Sequence, residues 1–215
     1  EQRENRTNFK YSGDVDMNKI DKKEDILKEI ININVGQAAS LLSEIVDKKI
    51  ELRVPQLKIL DGETDFSQED FPNLLKGALM VSSIKFENEL NGKAELIFPA
   101  NHIKELTSLC TGEECFDLET FTDTDFDVIK ELGNIILNAV IGGLGNFLNM
   151  NIDYSMPEVK FFDIIEVQEI FKKKKKHNVL ILFVNFKIGG TEVNGALIVT
   201  FTIDSMRDLM DKLDE

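Results

Sequence analysis

Hydrophobic residues recur at three- and four-residue intervals in two long segments of this chain. The first segment spans residues 22–47 and the second spans residues 125–149. Such spacing lines one face of a helix with apolar side chains, so we predict two long amphipathic helices. In the first helix the apolar positions are Ile26, Ile30, Ile33, Ala38, Leu41, Leu42 and Ile45.

Shorter segments rich in β-branched and aromatic residues follow each predicted helix. After the first helix we predict a strand over 50–60, a hairpin over 78–86 and 94–98, and a short helix over 101–110. After the second helix the same order is predicted over 152–162, 179–201 and 203–213. Because a two-stranded hairpin is rarely stable alone, both hairpins should share one sheet. The predicted fold class is α/β (α+β), with a mixed or antiparallel sheet and two long helices packed on it.

Two segments that lie 102 residues apart have similar sequences. Residues 25–32 read DILKEIIN, and residues 127–134 read DVIKELGN. Pro55 and Pro157 each lie 23 positions after the end of these segments, and weaker similarity at the same offset continues into the hairpins. Since Pro lacks an N–H donor, we expect Pro55 at an edge or irregular position of its strand.

We interpret this self-similarity as the duplication of one unit, with a pseudo-twofold axis between the copies. The predicted organisation is an N-terminal extension or expression remnant at residues 1–20, followed by a single domain over 21–215 made of two repeats, about 21–112 and 123–215.

The chain is strongly acidic. Its 215 residues include 25 Lys and Arg against 39 Asp and Glu, which gives a formal net charge of −14. Because nucleic acids and anionic membranes attract clustered cations, this balance argues against both as partners. The basic run Lys172–Lys176 is either a solvated loop or a docking patch for an acidic partner. The longest apolar runs, such as Val179–Val184, fall far short of the roughly 20 residues of a membrane span, so we expect none.

The two cysteines, Cys110 and Cys115, have few potential zinc-binding partners, because the chain contains only two histidines. We therefore expect free thiols, a cytoplasmic protein and no metal or cofactor of its own. The glycine-rich segment Gly142–Gly145 lacks the Lys-Ser/Thr of a phosphate-binding loop. Close packing between helices is the expected role of its small residues.

Polar residues occupy one stripe of each long helix at the same spacing. Asp25, Glu29 and Asn32 are separated by four and three residues, and Asp127, Glu131 and Asn134 repeat that spacing. Residues so spaced share one narrow face of a helix. A single stripe of this kind is usually a solvated face. Asn is a poor residue for a helix interior, so its recurrence at the same register indicates a role other than helix stability.

The stripe and its proline fit the pattern D/S-x3-E-x2-N-x22-P twice, which closely resembles the CheC/CheX/FliY family of chemotaxis phosphatases, and the two-copy arrangement most resembles its CheC-like members. The resemblance covers residues 21–213 and implies hydrolysis of the aspartyl-phosphate of the response regulator CheY. It implies two catalytic pairs and four supporting residues. The catalytic residues would be Glu29, Asn32, Glu131 and Asn134, and the supporting residues Asp25, Pro55, Asp127 and Pro157.

The chemistry implied by this resemblance requires little of the protein itself. A phosphorylated response regulator already places a divalent metal, Mg, and a cationic side chain beside its acyl phosphate. An Asn amide can hold a water in line with the phosphorus without ionising, and a Glu one turn away can pair with a lysine of the regulator. Gly133, which precedes the second Asn, is expected to let the partner approach closely; Ile31 replaces it in the first half.

The resemblance also implies partners and an alternative. Besides phosphorylated CheY, the receptor deamidase CheD is an implied partner, and the chain is expected to be a monomer. Because flagellar switch proteins are similar in fold and bind CheY without hydrolysing its phosphate, the alternative function is a non-catalytic module that binds CheY or CheD.

Overall fold

A computed structural model describes residues 17–60, 77–113, 120–163, 166 and 178–214. The side chains of residues 17–21 and 60 are not described. Two long helices dominate the described chain, α1 (Met17–Val46) and α3 (Asp123–Leu148). Two short ones follow the hairpins, α2 (Ile103–Thr111), preceded by a 3-10 turn at Ala100–His102, and α4 (Ile203–Lys212).

Seven strands form one sheet in which every described pair is antiparallel. The strands are β1 (Ile50–Leu60), β2 (Leu79–Asn88), β3 (Gly92–Pro99), β4 (Ile152–Tyr154), β5 (Glu158–Phe162), β6 (Asn178–Ile188) and β7 (Thr191–Phe201). Their spatial order is β1-β6-β7-β3-β2, with β4 and β5 both on the outer side of β2. The predicted fold class is confirmed, and the sheet is antiparallel rather than mixed.

The two halves of the chain exchange their outer strands. Strand β1 pairs with β6 of the second half, whereas β4 and β5 pair with β2 of the first half. The two hairpins meet at the centre through β3 and β7. The order helix, strand, hairpin and short helix therefore occurs twice along the chain, and each half completes the sheet edge of the other.

The strand register corrects the predicted offset of the hairpins. Gln56 pairs with Phe183, and Glu158, which lies 102 residues after Gln56, pairs with Ser83. Ser83 and Phe183 are 100 residues apart, so β2 and β6 correspond at an offset two residues shorter than the outer strands do. Their partners Glu95 and Ala196 are 101 residues apart, so β3 and β7 correspond at an offset one residue shorter. The sequence similarity was too weak there to reveal the shift.

Pro55 lies at an irregular point of an edge strand, as expected. Strand β1 ends the spatial order, and its register against β6 shifts between Arg53 and Gln56. The single strand predicted over 152–162 is instead broken into β4 and β5 around Pro157. Proline therefore interrupts both outer strands, but more completely in the second half.

The sheet carries an apolar core on each face. The larger core lies under α1 and α3 and includes Leu27 and Ile31 of α1 and Ile129 and Ile136 of α3, all fully buried. Because alternate strand residues face opposite sides, a second buried cluster occupies the other face. Its members are Leu79, Val81, Ile97, Val179, Ile181, Ala196 and Ile198.

The long helices pack against each other at a glycine, as the sequence predicted. A Cβ at Gly143 would lie 2.1 Å from the Asn34 amide, so a larger residue would force the Asn34 side chain to move. Gly36 of α1 makes no such close contact: a Cβ there would meet no atom within 4 Å. By length and composition alone, helix α3 could cross a membrane. Half of its apolar 18-residue stretch is buried inside the protein, however, as in a core helix.

Two ion pairs tie the short helices to the N-terminal parts of the long ones, with the lysine on the short helix in one pair and on the long helix in the other. Lys104 of α2 contacts Asp125 of α3 at 2.6 Å, with 7% and 0% of the two side chains exposed. Lys23 of α1 contacts Asp214, beyond α4, at 2.7 Å, with 16% and 48% exposed. Each short helix thus fixes the long helix of the other half.

Candidate functional site

The predicted catalytic residues lie on α1 and α3, and the structure places the acidic and amide groups differently. Glu29 and Glu131 are exposed, and neither carboxylate has a hydrogen-bond or ion-pair partner among the described residues. Asn32 and Asn134, one turn further along, are partly buried. Each half therefore presents an exposed carboxylate beside a more protected amide. The supporting residues Asp25 and Asp127 are exposed, Pro55 is exposed and Pro157 is buried.

The amide of Asn32 is fully engaged with the protein backbone. Its Oδ1 accepts from the N–H of Val54 at 2.9 Å, and its Nδ2 donates to the carbonyl of Val54 at 3.2 Å. The same Nδ2 also donates to the carbonyl of Lys28 at 2.9 Å. Both amide protons are used, and the side chain binds Val54 as a neighbouring strand would.

The reason for this arrangement lies in strand β1. Val54 and Pro55 fall in the register shift, where β6 supplies no paired residue. Buried backbone groups need hydrogen-bond partners, and Val54 is only 2% exposed. Asn32 satisfies both groups of Val54. In the first half, the spacing between the Asn and the Pro thus has a structural explanation.

The amide of Asn134 has a different environment. Its Oδ1 accepts from Nδ2 of Asn138 at 2.9 Å. Among the residues that the structure describes, nothing accepts a hydrogen bond from Nδ2 of Asn134. Asn134 therefore keeps both amide protons available for a ligand, whereas Asn32 uses both of its own internally.

The segment around Met156 explains why Asn134 has no backbone partner among the described residues. Met156 corresponds to Val54 at the 102-residue offset, but its side chain is 79% exposed. Its carbonyl accepts from the hydroxyl of Ser155 at 3.2 Å. The backbone of Ser155 donates to the Lys85 carbonyl at 2.9 Å, and its hydroxyl accepts from the Lys85 N–H at the same distance. Ser155 thus secures the interrupted strand without help from Asn134.

Gly133 does not serve the role expected for it. The residue is buried, and a Cβ there would lie 2.0 Å from Oγ and 2.4 Å from Cβ of Ser82. Its missing side chain lets α3 approach strand β2, so a partner protein cannot use that space. The expectation failed because Ser82 is distant in sequence and only the fold brings it under α3.

Sequence reasoning missed Asn138 and the buried pair at the start of α3. Asn138 lies four residues after Asn134, a spacing that places the two on one helix face, and this signal could have identified it. Burial opposes ionisation of Asp125, but hydrogen bonds from Lys104 and Thr122 outweigh that effect, so the pKa of Asp125 lies below its ordinary value. Asp125 also caps α3 through the N–H and hydroxyl of Thr122.

The remaining candidate groups contribute nothing to this site. Burial raises the pKa of the Cys110 thiol to about 11, so it stays protonated at neutral pH. Cys115, His177 and the run Lys172–Lys176 lie outside the described residues. Among the described residues, no three His, Cys, Asp or Glu side chains form a group that could hold a metal ion.

Comparison with known sequences supports the resemblance inferred from the motif. Residues 23–59, which contain Glu29, Asn32 and Pro55, match the sequence model of the CheC-like family. Over 140 residues the chain is 29% identical to the CheY-P phosphatase CheC of Bacillus subtilis. That alignment covers 63% of this chain and 64% of the relative, so it spans less than two thirds of the relative's length.

Solved structures share the fold at low sequence identity. FliY from Thermotoga maritima superposes with a TM-score of 0.69 at 19% identity, covering 90% of this chain and 96% of that one. The FliM middle domain from Vibrio alginolyticus superposes with a TM-score of 0.61 at 14% identity, covering 85% and 99%. The chain therefore combines a CheC-like sequence segment with a fold that FliY and the FliM middle domain share.

Proposed function

We propose that this protein is a cytoplasmic phosphatase that hydrolyses the aspartyl-phosphate of a CheY-type response regulator. The observation that carries this proposal is the second polar stripe, where an exposed Glu131 stands one turn before an Asn134 with an open amide. The similarity to a CheY-P phosphatase supports the assignment of substrate class. The reaction would end the signal that the phosphorylated regulator transmits.

Hydrolysis joins a water oxygen to phosphorus and breaks the bond between phosphorus and the aspartyl oxygen. The products are inorganic phosphate and the free carboxylate of the regulator. The regulator carries the divalent metal that neutralises phosphoryl charge. Asn134 can donate from Nδ2 to the attacking water and accept through the second lone pair of Oδ1. Holding that water in line with the phosphorus is its contribution to the rate.

Glu131 is proposed to anchor the regulator. Its exposed carboxylate has no ion-pair partner among the described residues, so it is available to a lysine from outside the chain. An ion pair formed with a docked protein loses water and becomes stronger than one on a free surface. Because Glu131 precedes Asn134 by three residues, the anchored regulator and the positioned water lie on the same face of α3.

Glu29 and Asn32 of the first half remain a further proposed site. This site can act only after a rearrangement that Asn134 does not need. Asn32 must release Val54 before its amide can hold water, and each hydrogen bond lost costs about 1 kcal/mol. The first site should therefore contribute less to turnover than the second. The Glu-Asn pairs of the two halves can be tested independently, because they lie on different helices.

The test measures phosphate release from a phosphorylated CheY-type regulator with catalytic amounts of this protein. We expect Asn134→Ala to lower the rate by about a hundredfold and Asn32→Ala to lower it by less than about twofold. Asn146→Ala is the matched control, because Asn146 is an exposed residue of the same helix. Full activity in the double variant, with both stripe asparagines replaced, would overturn the proposed mechanism.

The alternative is a module that binds CheY or CheD without catalysis. The fold alone does not separate the two, because the FliM middle domain shares it. The lifetime of the phosphorylated regulator separates them. A lifetime that is unchanged by this protein, together with tight binding, would favour the module. CheD binding and a monomeric state remain predictions that pull-down with purified CheD and sedimentation would test.

A further inference from the structure

Asn138 holds the amide of Asn134 in one orientation. Its Nδ2 donates to Oδ1 of Asn134 at 2.9 Å, from one turn further along α3. An unconstrained Asn amide can rotate about its terminal torsion, which has broad preferences. With Oδ1 fixed by a donor, the Nδ2 of Asn134 is directed to the other side. The contact therefore determines which amide group faces an incoming ligand.

Stability does not account for the presence of Asn138. Its Oδ1 is buried and lacks any hydrogen-bond partner in the described structure. A buried acceptor without a partner costs about 1–3 kcal/mol, which offsets the single bond that Nδ2 makes. Asn also favours a helix interior less than Ala does. A residue that is unfavourable for the helix and incompletely bonded is better explained by its effect on Asn134.

The first half has no counterpart to this residue. Gly36 occupies the position 102 residues earlier, is exposed, and offers no side chain to Asn32. The backbone of Val54 orients Asn32 instead and uses its donors. Asn32 and Asn134 are thus oriented by different groups. Asn138 leaves Nδ2 of Asn134 without a partner among the described residues, whereas the backbone of Val54 uses Nδ2 of Asn32.

We propose that Asn138 is a positioning residue, which orients the Asn134 amide for the water of aspartyl-phosphate hydrolysis. The inference rests on the proposed function, because it assigns a role within that same site. Asn138 itself touches neither the regulator nor the water; it acts through Asn134. Its loss should lower the rate of the chemical step and leave regulator binding unchanged.

The kinetic test compares Asn138→Ala and Asn138→Asp with the wild-type protein in the phosphate-release assay. Alanine removes the donor, and aspartate keeps the shape but replaces the donor by an acceptor. We expect both variants to lower kcat by about tenfold or more while KM changes by less than about twofold. Asn146→Ala and Asn146→Asp are the matched controls on the same helix. Wild-type kcat in both Asn138 variants would overturn the proposal.

Thermal unfolding separates positioning from simple damage to the fold. Because Oδ1 of Asn138 is unpaired, Asn138→Ala should unfold at or above the wild-type temperature. A lower kcat in a protein of unchanged Tm supports positioning. A fall in kcat that follows a fall in Tm, with the rate restored at lower temperature, would contradict it.

A structural readout keeps this inference separate from the proposed function. The 15N order parameter of the Asn134 side-chain amide reports its orientation without any substrate. We expect this order parameter to fall in Asn138→Ala and to stay unchanged in Asn146→Ala. An unchanged order parameter would refute the positioning role. If the order parameter falls but neither the wild-type protein nor Asn134→Ala affects phosphate release, the proposed function has failed and the orienting contact stands.

Discussion

Asn32 and Asn134 occupy the same place in the same motif, yet they make different bonds. Asn32 completes strand β1 by binding both backbone groups of Val54, whereas among the described residues the side chain of Asn134 forms a hydrogen bond with Asn138 alone. The difference follows from the neighbouring strand. Strand β1 continues past Pro55 with a register shift, and Asn32 satisfies the backbone groups that the shift leaves unpaired. In the second half the strand is broken and Ser155 secures it, so Asn134 is not needed for this purpose. A motif therefore defines residue type and spacing, but the strand beside it decides the role.

The largest expected difference between the halves concerns their ion pairs. Replacing Lys104 by Met leaves the buried carboxylate of Asp125 without its cation and should cost about 3–5 kcal/mol of unfolding free energy. Replacing Lys23 by Met removes a partly exposed pair and the hydrogen bond to the Met210 carbonyl, and it should cost about 1–2 kcal/mol. Urea unfolding at neutral pH measures both. Equal losses in the two variants would contradict the assigned difference in burial.

Acidification tests the same pair with a defined sign. The pKa of Asp125 is lower in the folded protein, so its contribution to stability is present above the unfolded value of about 3.9 and is lost as pH falls through the folded pKa. In Lys104→Met the buried carboxylate of Asp125 has lost its cation and takes up a proton more readily. Lowering the pH therefore reduces the destabilisation of the variant. The stability gap between wild type and Lys104→Met should therefore begin to narrow above the unfolded value of about 3.9, where the carboxyl of the variant takes up its proton, and should go on narrowing as pH falls through the lowered pKa of the wild type. A gap that stays constant from pH 7 to the acid limit of folding would disprove the linkage.

A smaller effect should distinguish the stripe asparagines themselves. Asn32→Ala removes three hydrogen bonds and leaves Val54 unsatisfied, so we expect a loss of about 2–3 kcal/mol in unfolding free energy. Asn134→Ala removes one hydrogen bond and should cost less than about 1 kcal/mol. The phosphatase rate is expected to respond in the opposite order, with Asn134→Ala losing more activity than Asn32→Ala. If Asn134→Ala proves the more destabilising variant, the contrast between the halves is wrong.

Two helix glycines are expected to respond to alanine with opposite signs. Gly133→Ala forces a Cβ against Ser82 and should cost about 1–3 kcal/mol, and shortening Ser82 to Gly should recover part of that loss. Gly36→Ala meets open space and should stabilise α1 by about 1 kcal/mol. Thermal unfolding of the variants measures both signs. Tolerance of Gly133→Ala without any loss would mean that α3 can move away from β2.

The sequence predicted the parts of this molecule that depend on local spacing. The period of apolar residues located both long helices, and the proline at position 55 was correctly expected at an irregular edge. The exchange of outer strands and the 100-residue offset between β2 and β6 depend on long-range register, which the sequence pattern does not contain. The site divides in the same way. The stripe follows from helix periodicity, whereas the contacts of Asn32 with Val54 and of Gly133 with Ser82 arise only once the sheet has formed.

The exchange of outer strands has a consequence for the independence of the halves. A single half expressed alone would hold one hairpin with its own outer strand unpaired, and it would need a second copy to close the sheet. The exchanged strands are the arrangement expected if the predicted duplication joined the two subunits of a symmetric dimer. In a symmetric dimer, one substitution changes both copies at once. Two halves within one chain can differ in sequence, so Asn32 can complete strand β1 while Asn134 keeps its amide protons unused among the described residues.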